Sequence, residues 1–309
     1  MRWTLTESIK KNPKSIKIAL IQRITDQISV FRDDLYPYLG GGNKARKMMA
    51  LDEIIKSQGV NAIVTTGGIQ SNHCRAVALY SKKNNIKCTL VLHGDQERLF
   101  SESGNAKVIK GSGATMIFSN ACEIGKNMDV ALRTYREQGY NPFYLNGGGH
   151  TLEGGYCYTD ELEKLVDSGY VPDYIFLASG SGTTQAGLLA GVTRKGLDIK
   201  VIGISVGRTT EKAENCIQEF YKELCKTYGI DGKRAKVIVD DSFLCGGYEK
   251  YNNQIKQIAD DSMANYGFPL DTTYTAKAFY GMQQIIEKRH ITGQVLFWYT
   301  GGIYNYLAK

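Results

Sequence analysis

Residues 61–83 read NAIVTTGGIQSNHCRAVALYSKK. Asn61 to Thr66 is a short β-branched and apolar run that stops at Gly67-Gly68, the pattern of a strand buried on both faces. Ser71-Asn72-His73 then supplies residues that cap a helix start, and the helix runs through Arg75–Lys83 until Asn84-Asn85 stops it. Strand, glycine turn and helix make one βα unit. Polar side chains at its turn stand over the carboxyl end of the strand, where open α/β sheets gather their ligands.

The same alternation extends outward in both directions. Downstream come strands at Lys87–Leu92, Ala114–Phe118 and Asn141–Leu145, separated by helices near Ser103–Ile109 and Ile124–Glu137. It then repeats with a helix Leu152–Val166, a strand Tyr174–Ala178, a helix Gln185–Lys195, a strand Lys200–Ser205, a helix Glu211–Tyr228 and a strand Ala235–Val239. Helices at Glu249–Tyr266 and Thr275–Lys288 precede a closing strand, Val295–Tyr299. Upstream, Ile16–Ile21 and Ile28–Phe31 read as an opening hairpin or a crossing segment. Right-handed crossovers between such strands imply an α/β fold with open, mostly parallel sheets. No tandem repeat or long linker divides the chain, so a second domain must form where the chain leaves one sheet and returns to it.

At 309 residues and 42% hydrophobic, the chain can bury one large or two moderate cores. No apolar run reaches the roughly 18 residues of a membrane span, and the N-terminus lacks a signal-peptide core, so a cytoplasmic protein is expected. Seven cysteines are scattered without C-x-x-C spacing, and four histidines show no metal-ligand pattern, which argues against a disulfide framework or a bound metal. The net charge of +7 comes from dispersed lysines, without the aromatic interleaving of a nucleic-acid platform.

Three turns carry candidate chemistry. Leu39–Lys47, LGGGNKARK, presents Lys44 from a glycine turn; Arg46 and Lys47 stand beside it, and cationic neighbours are expected to lower its pKa toward a nucleophilic amine. Ser179–Thr184, SGSGTT, lies between a strand and a helix and offers an anion cradle of backbone N–H groups and hydroxyls. It is neither a Walker loop nor a dinucleotide fingerprint. Ser71, Asn72 and His73 bring a hydroxyl, an amide and an imidazole to the tip of a strand. Tyr274 in LDTTYTAK and Thr300 in YTGG add hydroxyls at a helix start and a strand end, although most of the 20 tyrosines must simply pack.

A reactive lysine, a phosphate cradle and converging amide and hydroxyl groups on such a scaffold describe a pyridoxal phosphate site. GGGNKARK, TTGGIQSNHCRAVA, GGGHTLEGG, SGSGTTQAG, CGGY, LDTTYTAKA and YTGG also resemble, in this order, the blocks of the D-cysteine desulfhydrase and 1-aminocyclopropane-1-carboxylate (ACC) deaminase family. The resemblance runs from about Phe31 to Gly302; residues 1–30 lack the family's usual threonine-proline opening. It implies the fold-type II arrangement of the tryptophan synthase β subunit, with two open, mostly parallel twisted sheets, a small domain at 47–155 inserted in a large one (1–46 plus 156–309), and a homodimer. It makes Lys44 the Schiff-base lysine and Lys47 a phosphate contact. Asn72 should bond the cofactor's ring oxygen, while Gly180, Ser181, Gly182, Thr183 and Thr184 hold the phosphate. Ser71 and Tyr274 fall at the positions of catalytic hydroxyls, and Ser71, Asn72, His73 and Tyr274 line the substrate side.

Within that family, deaminases have a glutamate after the tyrosine and a leucine before the late glycine pair, whereas desulfhydrases have threonine at both; this chain has Thr275 and Thr300, which would stand by the cofactor ring. The resemblance therefore implies β-elimination from a small amino acid of the D-cysteine type, with either Lys44 or the Ser71/Tyr274 pair removing the Cα proton. ACC deamination, β-replacement or deamination of another amino acid are the alternatives. His150 and Glu153, in Gly147–Glu153, depart from the family's small or neutral residues and suggest an altered substrate-side loop.

Overall fold

The computed structural model describes residues 20–101 and 103–308. In chain order its strands are β1 (Ile21–Arg23), β2 (Ile28–Arg32), β3 (Ala62–Gly68), β4 (Lys87–His93), β5 (Thr115–Phe118), β6 (Pro142–Leu145), β7 (Tyr174–Ser179), β8 (Lys200–Ser205), β9 (Ile238–Asp240) and β10 (Val295–Tyr299). The α-helices are α1 (Gly42–Ala50), α2 (Asp52–Ser57), α3 (Asn72–Lys83), α4 (Gln96–Ser101), α5 (Gly104–Gly111), α6 (Ile124–Glu137), α7 (Leu152–Asp167), α8 (Thr183–Lys195), α9 (Thr210–Thr227), α10 (Asn253–Tyr266), α11 (Thr275–Lys288) and α12 (Ile303–Tyr306).

Two sheets result. One has six strands in the order β1-β2-β10-β7-β8-β9 and the other four in the order β5-β4-β3-β6. Every pairing is parallel except β1 with β2, which form an opening hairpin. Residues 16–19 of the first strand-like run lie outside the described residues. β10 shows why the pattern was readable: all five of its residues are buried, and they alternate between two cores. Leu296 and Trp298 pack with Leu188, Leu189 and Ile217, while Val295, Phe297 and Tyr299 pack with Phe268, Phe279 and Met282. The smaller sheet is built alike, with Ile63 facing α1, α3 and α5 and with Ala62 and Val64 facing α6.

Several boundaries differ from expectation, each for a local reason. The charged segment after β4 forms the short helix α4 rather than a loop, as Asp95 accepts from the N–H groups of Glu97 and Arg98. The helix expected from Glu249 starts at Asn253, because the Asn252 side chain caps it by accepting from Ile255 N at 3.0 Å. Residues 249–252 instead continue a turn that begins before them, with Cys245 at φ +54° and Glu249 at φ +62°, and Tyr248 of that turn packs at Gly207, just after β8.

Candidate active site

Lys44 is set by the turn before α1. Gly41 has φ +72°, and a Cβ there would lie 2.1 Å from the Asp34 carbonyl oxygen, so only glycine fits. The turn docks on the end of β10 through Asn43 N donating to Thr300 O at 2.9 Å. The Lys44 Nζ donates to Gly148 O at 2.9 Å, across the gap between the two sheets. Its pKa is lowered from the ordinary 10.5 to about 8, as the turn-plus-cation reading expected, but the cause is burial. Arg46 is spent elsewhere: it forms ion pairs with Asp33 at 2.7 Å and Glu161 at 2.9 Å. Lys47 is 2% exposed and makes no ion pair among the described residues. Burial first, then the Lys44 charge, holds its amine well below the usual lysine range. A buried amine with no counter-ion among those residues, one turn along α1 from Lys44, suits an arriving anion.

Facing these lysines is the Ser179–Thr184 turn at the start of α8. Gly182 caps the helix at φ +83°, where a Cβ would come within 2.3 Å of Ile217 Cγ1. Ser181 Oγ and Thr183 Oγ1 are 3.1 Å apart, and Thr184 Oγ1 accepts from Asn43 Nδ2 at 3.3 Å. Gly180, Ser181, Gly182 and Thr184 line one small cavity with Lys44 and Lys47. Hydroxyls, a helix N-terminus and two amines therefore converge there.

A second small cavity shares Asn43, Lys44, Ala178 and Gly180 with the first and adds Asn72, Tyr274, Thr300 and Gly301. Asn72 is positioned by Arg75 and Asn105, which donate to its Oδ1 at 3.2 and 3.0 Å, and its Nδ2 donates to Asn305. Three expected site residues are held just behind the wall. Ser71 Oγ caps α3 by accepting from Cys74 N at 3.2 Å. Thr275 is buried, its hydroxyl donating to Asp271 Oδ1 at 2.8 Å. His73 is 3% exposed, and Nε2 lies 2.8 Å from Thr65 Oγ1. Because Thr65 gives its one proton to Leu145 O, the His73 Nε2 must be the donor, and burial pushes this ring's pKa down to about 3, leaving it neutral.

Tyr248 is a residue that the sequence reading quoted in CGGY without giving it a role. Its phenol shares a short hydrogen bond with Tyr274. Burial, reinforced by this partner, raises Tyr274 well above the usual tyrosine range, so the pair is a proton-holding group at neutral pH. Only the glycines beside Tyr248 hinted at it, since they allow the turn that swings it over Tyr274. His150, in the loop expected to be altered, has Nδ1 2.7 Å from Thr183 Oγ1. Glu153 sits in the first turn of α7.

Residues 18–301 match the family model described as pyridoxal-phosphate dependent enzyme. This protein belongs to that family. Its cofactor is pyridoxal 5'-phosphate, and the desolvated Lys44, the unpaired buried Lys47 and the hydroxyl-rich helix start fit such a group. A protein of Pyrococcus horikoshii named putative 1-aminocyclopropane-1-carboxylate deaminase is 31% identical, over 91% of this chain and 86% of the relative. The D-cysteine desulfhydrase of Yersinia pestis is 28% identical, over 91% and 89%. The enzyme also superimposes on the crystal structure of an ACC deaminase homologue with a TM-score of 0.83 at 29% identity, covering 96% of this chain and 88% of that one. A fungal L-serine ammonia-lyase from Rhizomucor miehei shares the fold at a TM-score of 0.61 and 13% identity, covering 89% of this chain and 88% of that one. Within the family, this chain groups with the ACC deaminases and D-cysteine desulfhydrases. No helix among the described residues is long and apolar enough to cross a membrane.

Proposed function

We propose that this pyridoxal phosphate enzyme is a lyase that eliminates the β-substituent of a small amino acid, acting on D-cysteine to give pyruvate, ammonia and sulfide. One observation carries the choice: Thr275 and Thr300 stand at the two diagnostic positions, and among the described residues no acidic side chain lines the cleft that holds Lys44, Asn72, Tyr274 and Thr300. When bound, the cofactor withdraws electrons from the substrate's Cα. Neutral hydroxyls near its ring make that withdrawal weaker than a carboxylate would, which suffices where a departing thiolate carries the charge away.

In this reading Lys44 holds the cofactor and then moves the Cα proton, since its amine loses its proton near pH 8. Tyr274, kept protonated by burial and by Tyr248, is suited to donate and not to abstract. Lys47 and residues 180–184 hold the phosphate. Asn72 meets the ring oxygen and, with Ser71 and His73, the substrate carboxylate; neutral His73 adds polarity there without charge. Thr300 borders the ring, and Thr275 stands behind the wall beside it. We further place a small domain at 47–155 and assign the enzyme to the cytoplasm as a homodimer.

The test is the purified holoenzyme with D-cysteine, L-cysteine, D-serine and ACC in parallel, assaying oxo acid and sulfide. Pyruvate and sulfide in equal amounts from D-cysteine alone is the expected result. Oxo acid from ACC with none from D-cysteine would replace this reading with the deaminase, the alternative that the relatives' names support.

A further inference from the structure

His150 belongs to the turn between β6 and α7, whose Gly148 carbonyl receives the Lys44 amine. Its ring lies on Phe220 of α9, centroids 4.3 Å apart, and its Nδ1 is 2.7 Å from Thr183 Oγ1. Nε2 has no partner among the described residues. Thr183 is fully buried at the first turn of α8, and among those residues its hydroxyl touches only His150 and, at 3.1 Å, Ser181 Oγ.

A threonine hydroxyl has a single proton to give. If Nδ1 is bare, it takes that proton, Ser181 then gives its own proton to Thr183, and Ser181 turns only lone pairs toward the cavity. If Nδ1 carries hydrogen, it donates to Thr183, whose own proton then goes to Ser181 Oγ, and the Ser181 proton is free to point into the cavity that Ser181 lines. We propose that His150 is a positioning residue for the cofactor phosphate: its Nδ1–H turns the Thr183 proton toward Ser181, so that the Ser181 hydroxyl donates to a phosphate oxygen. The surroundings agree. Burial, with Lys47, Arg208 and Lys44 nearby, lowers the His150 pKa to about 4, so the ring is neutral and its single proton must choose a nitrogen. An anion held in the cavity beyond Ser181 needs a proton turned toward it, which makes Nδ1 the favoured position.

The inference concerns cofactor capture and stands whichever amino acid the enzyme consumes. It is tested by measuring dissociation constants of the apoenzyme for pyridoxal phosphate and for pyridoxal, which lacks the phosphate. His150→Phe keeps a ring on Phe220 but removes the donor, and His150→Asn restores a donor near the position of Nδ1. The expected outcome is about tenfold weaker pyridoxal phosphate binding for His150→Phe, the size of one hydrogen bond to a charged group. Pyridoxal binding should stay within about twofold and His150→Asn within about threefold of the parent, because pyridoxal has no phosphate for Ser181 to meet and asparagine keeps a donor on Thr183. Equal weakening of both ligands, or of neither, would overturn the proposal in favour of a packing role. If His150→Phe does not fold, 15N NMR of the parent holoenzyme decides: a protonated Nδ1 supports the proposal, and a bare Nδ1 facing Thr183 refutes it.

Discussion

At the scale of single residues, burial governs the chemistry more than neighbouring charge. Lys44 lies beside Arg46 and Lys47 in sequence, yet its amine is tuned by desolvation, because Arg46 turns to Asp33 and Glu161. A lysine needs its neutral form to attack a carbonyl. Cofactor capture by the apoenzyme, followed by visible absorbance, should therefore accelerate with rising pH and reach half its limiting rate near about 8. A rate that keeps climbing toward the ordinary 10.5 would show Lys44 to be solvated. Lys44→Ala should abolish both the absorbance and turnover, whereas retained turnover would remove Lys44 from the chemistry. The lysine itself was readable from its glycine turn, but the direction in which Arg46 points was not, since Asp33 and Glu161 reach it from distant segments.

Between elements, one buried lysine holds the turn that completes the site. Lys277, on the first turns of α11, is fully buried and donates to Leu244 O at 3.0 Å and Gly247 O at 2.9 Å. Those carbonyls flank Cys245 at φ +54° and Gly246 at φ +93°, and the turn they shape delivers Tyr248 to Tyr274. Lys277→Met should remove the ammonium donor from both carbonyls, leaving each with one backbone N–H (Gly247 N on Leu244 O, Lys250 N on Gly247 O), cost about 1–3 kcal/mol in urea unfolding, and lower kcat more than it raises KM. Unchanged kcat would mean that the turn keeps Tyr248 in place unaided. The helix α11 was legible from its periodicity, including both boundaries, because it packs one face on the large sheet. The turn was not, since its shape depends on a side chain 30 residues away.

Across the whole molecule, the site sits where two sheets meet, and a buried polar network fixes that meeting. Asp33, after β2, accepts from Arg46 on α1 at 2.8 Å, from Tyr158 on α7 at 2.5 Å, and from the Trp298 indole on β10 at 3.5 Å. Removing one partner of a buried ion pair strands the other. Asp33→Asn should therefore destabilise the apoenzyme by about 3–5 kcal/mol in urea unfolding, with Arg46 left to Glu161 alone. A loss below about 1 kcal/mol would show that Glu161 suffices. From the other side, the carboxyl-terminal segment closes the gap through Asn305, whose Nδ2 donates to Gln70 O at 3.0 Å and whose Oδ1 accepts from Asn72 and Asn105. α12, which carries Asn305, was not expected from the sequence, being a single turn whose position comes from these contacts.

What the sequence alone determined is everything encoded within a few residues: the βα alternation, the lysine turn, the Ser179–Thr184 turn at a helix start and the cap at Ser71. Strand burial, glycine turns and helix caps are local patterns, so each announces itself along the chain. Only the tertiary structure decided that Arg46 serves Asp33, that His150 meets Thr183 and that Tyr248 meets Tyr274. Each of these pairings joins segments separated by at least 13 residues. Direction and partner at that distance follow from how the sheets pack, because a side chain's hydrogen bonds depend on which elements the fold brings within about 3 Å.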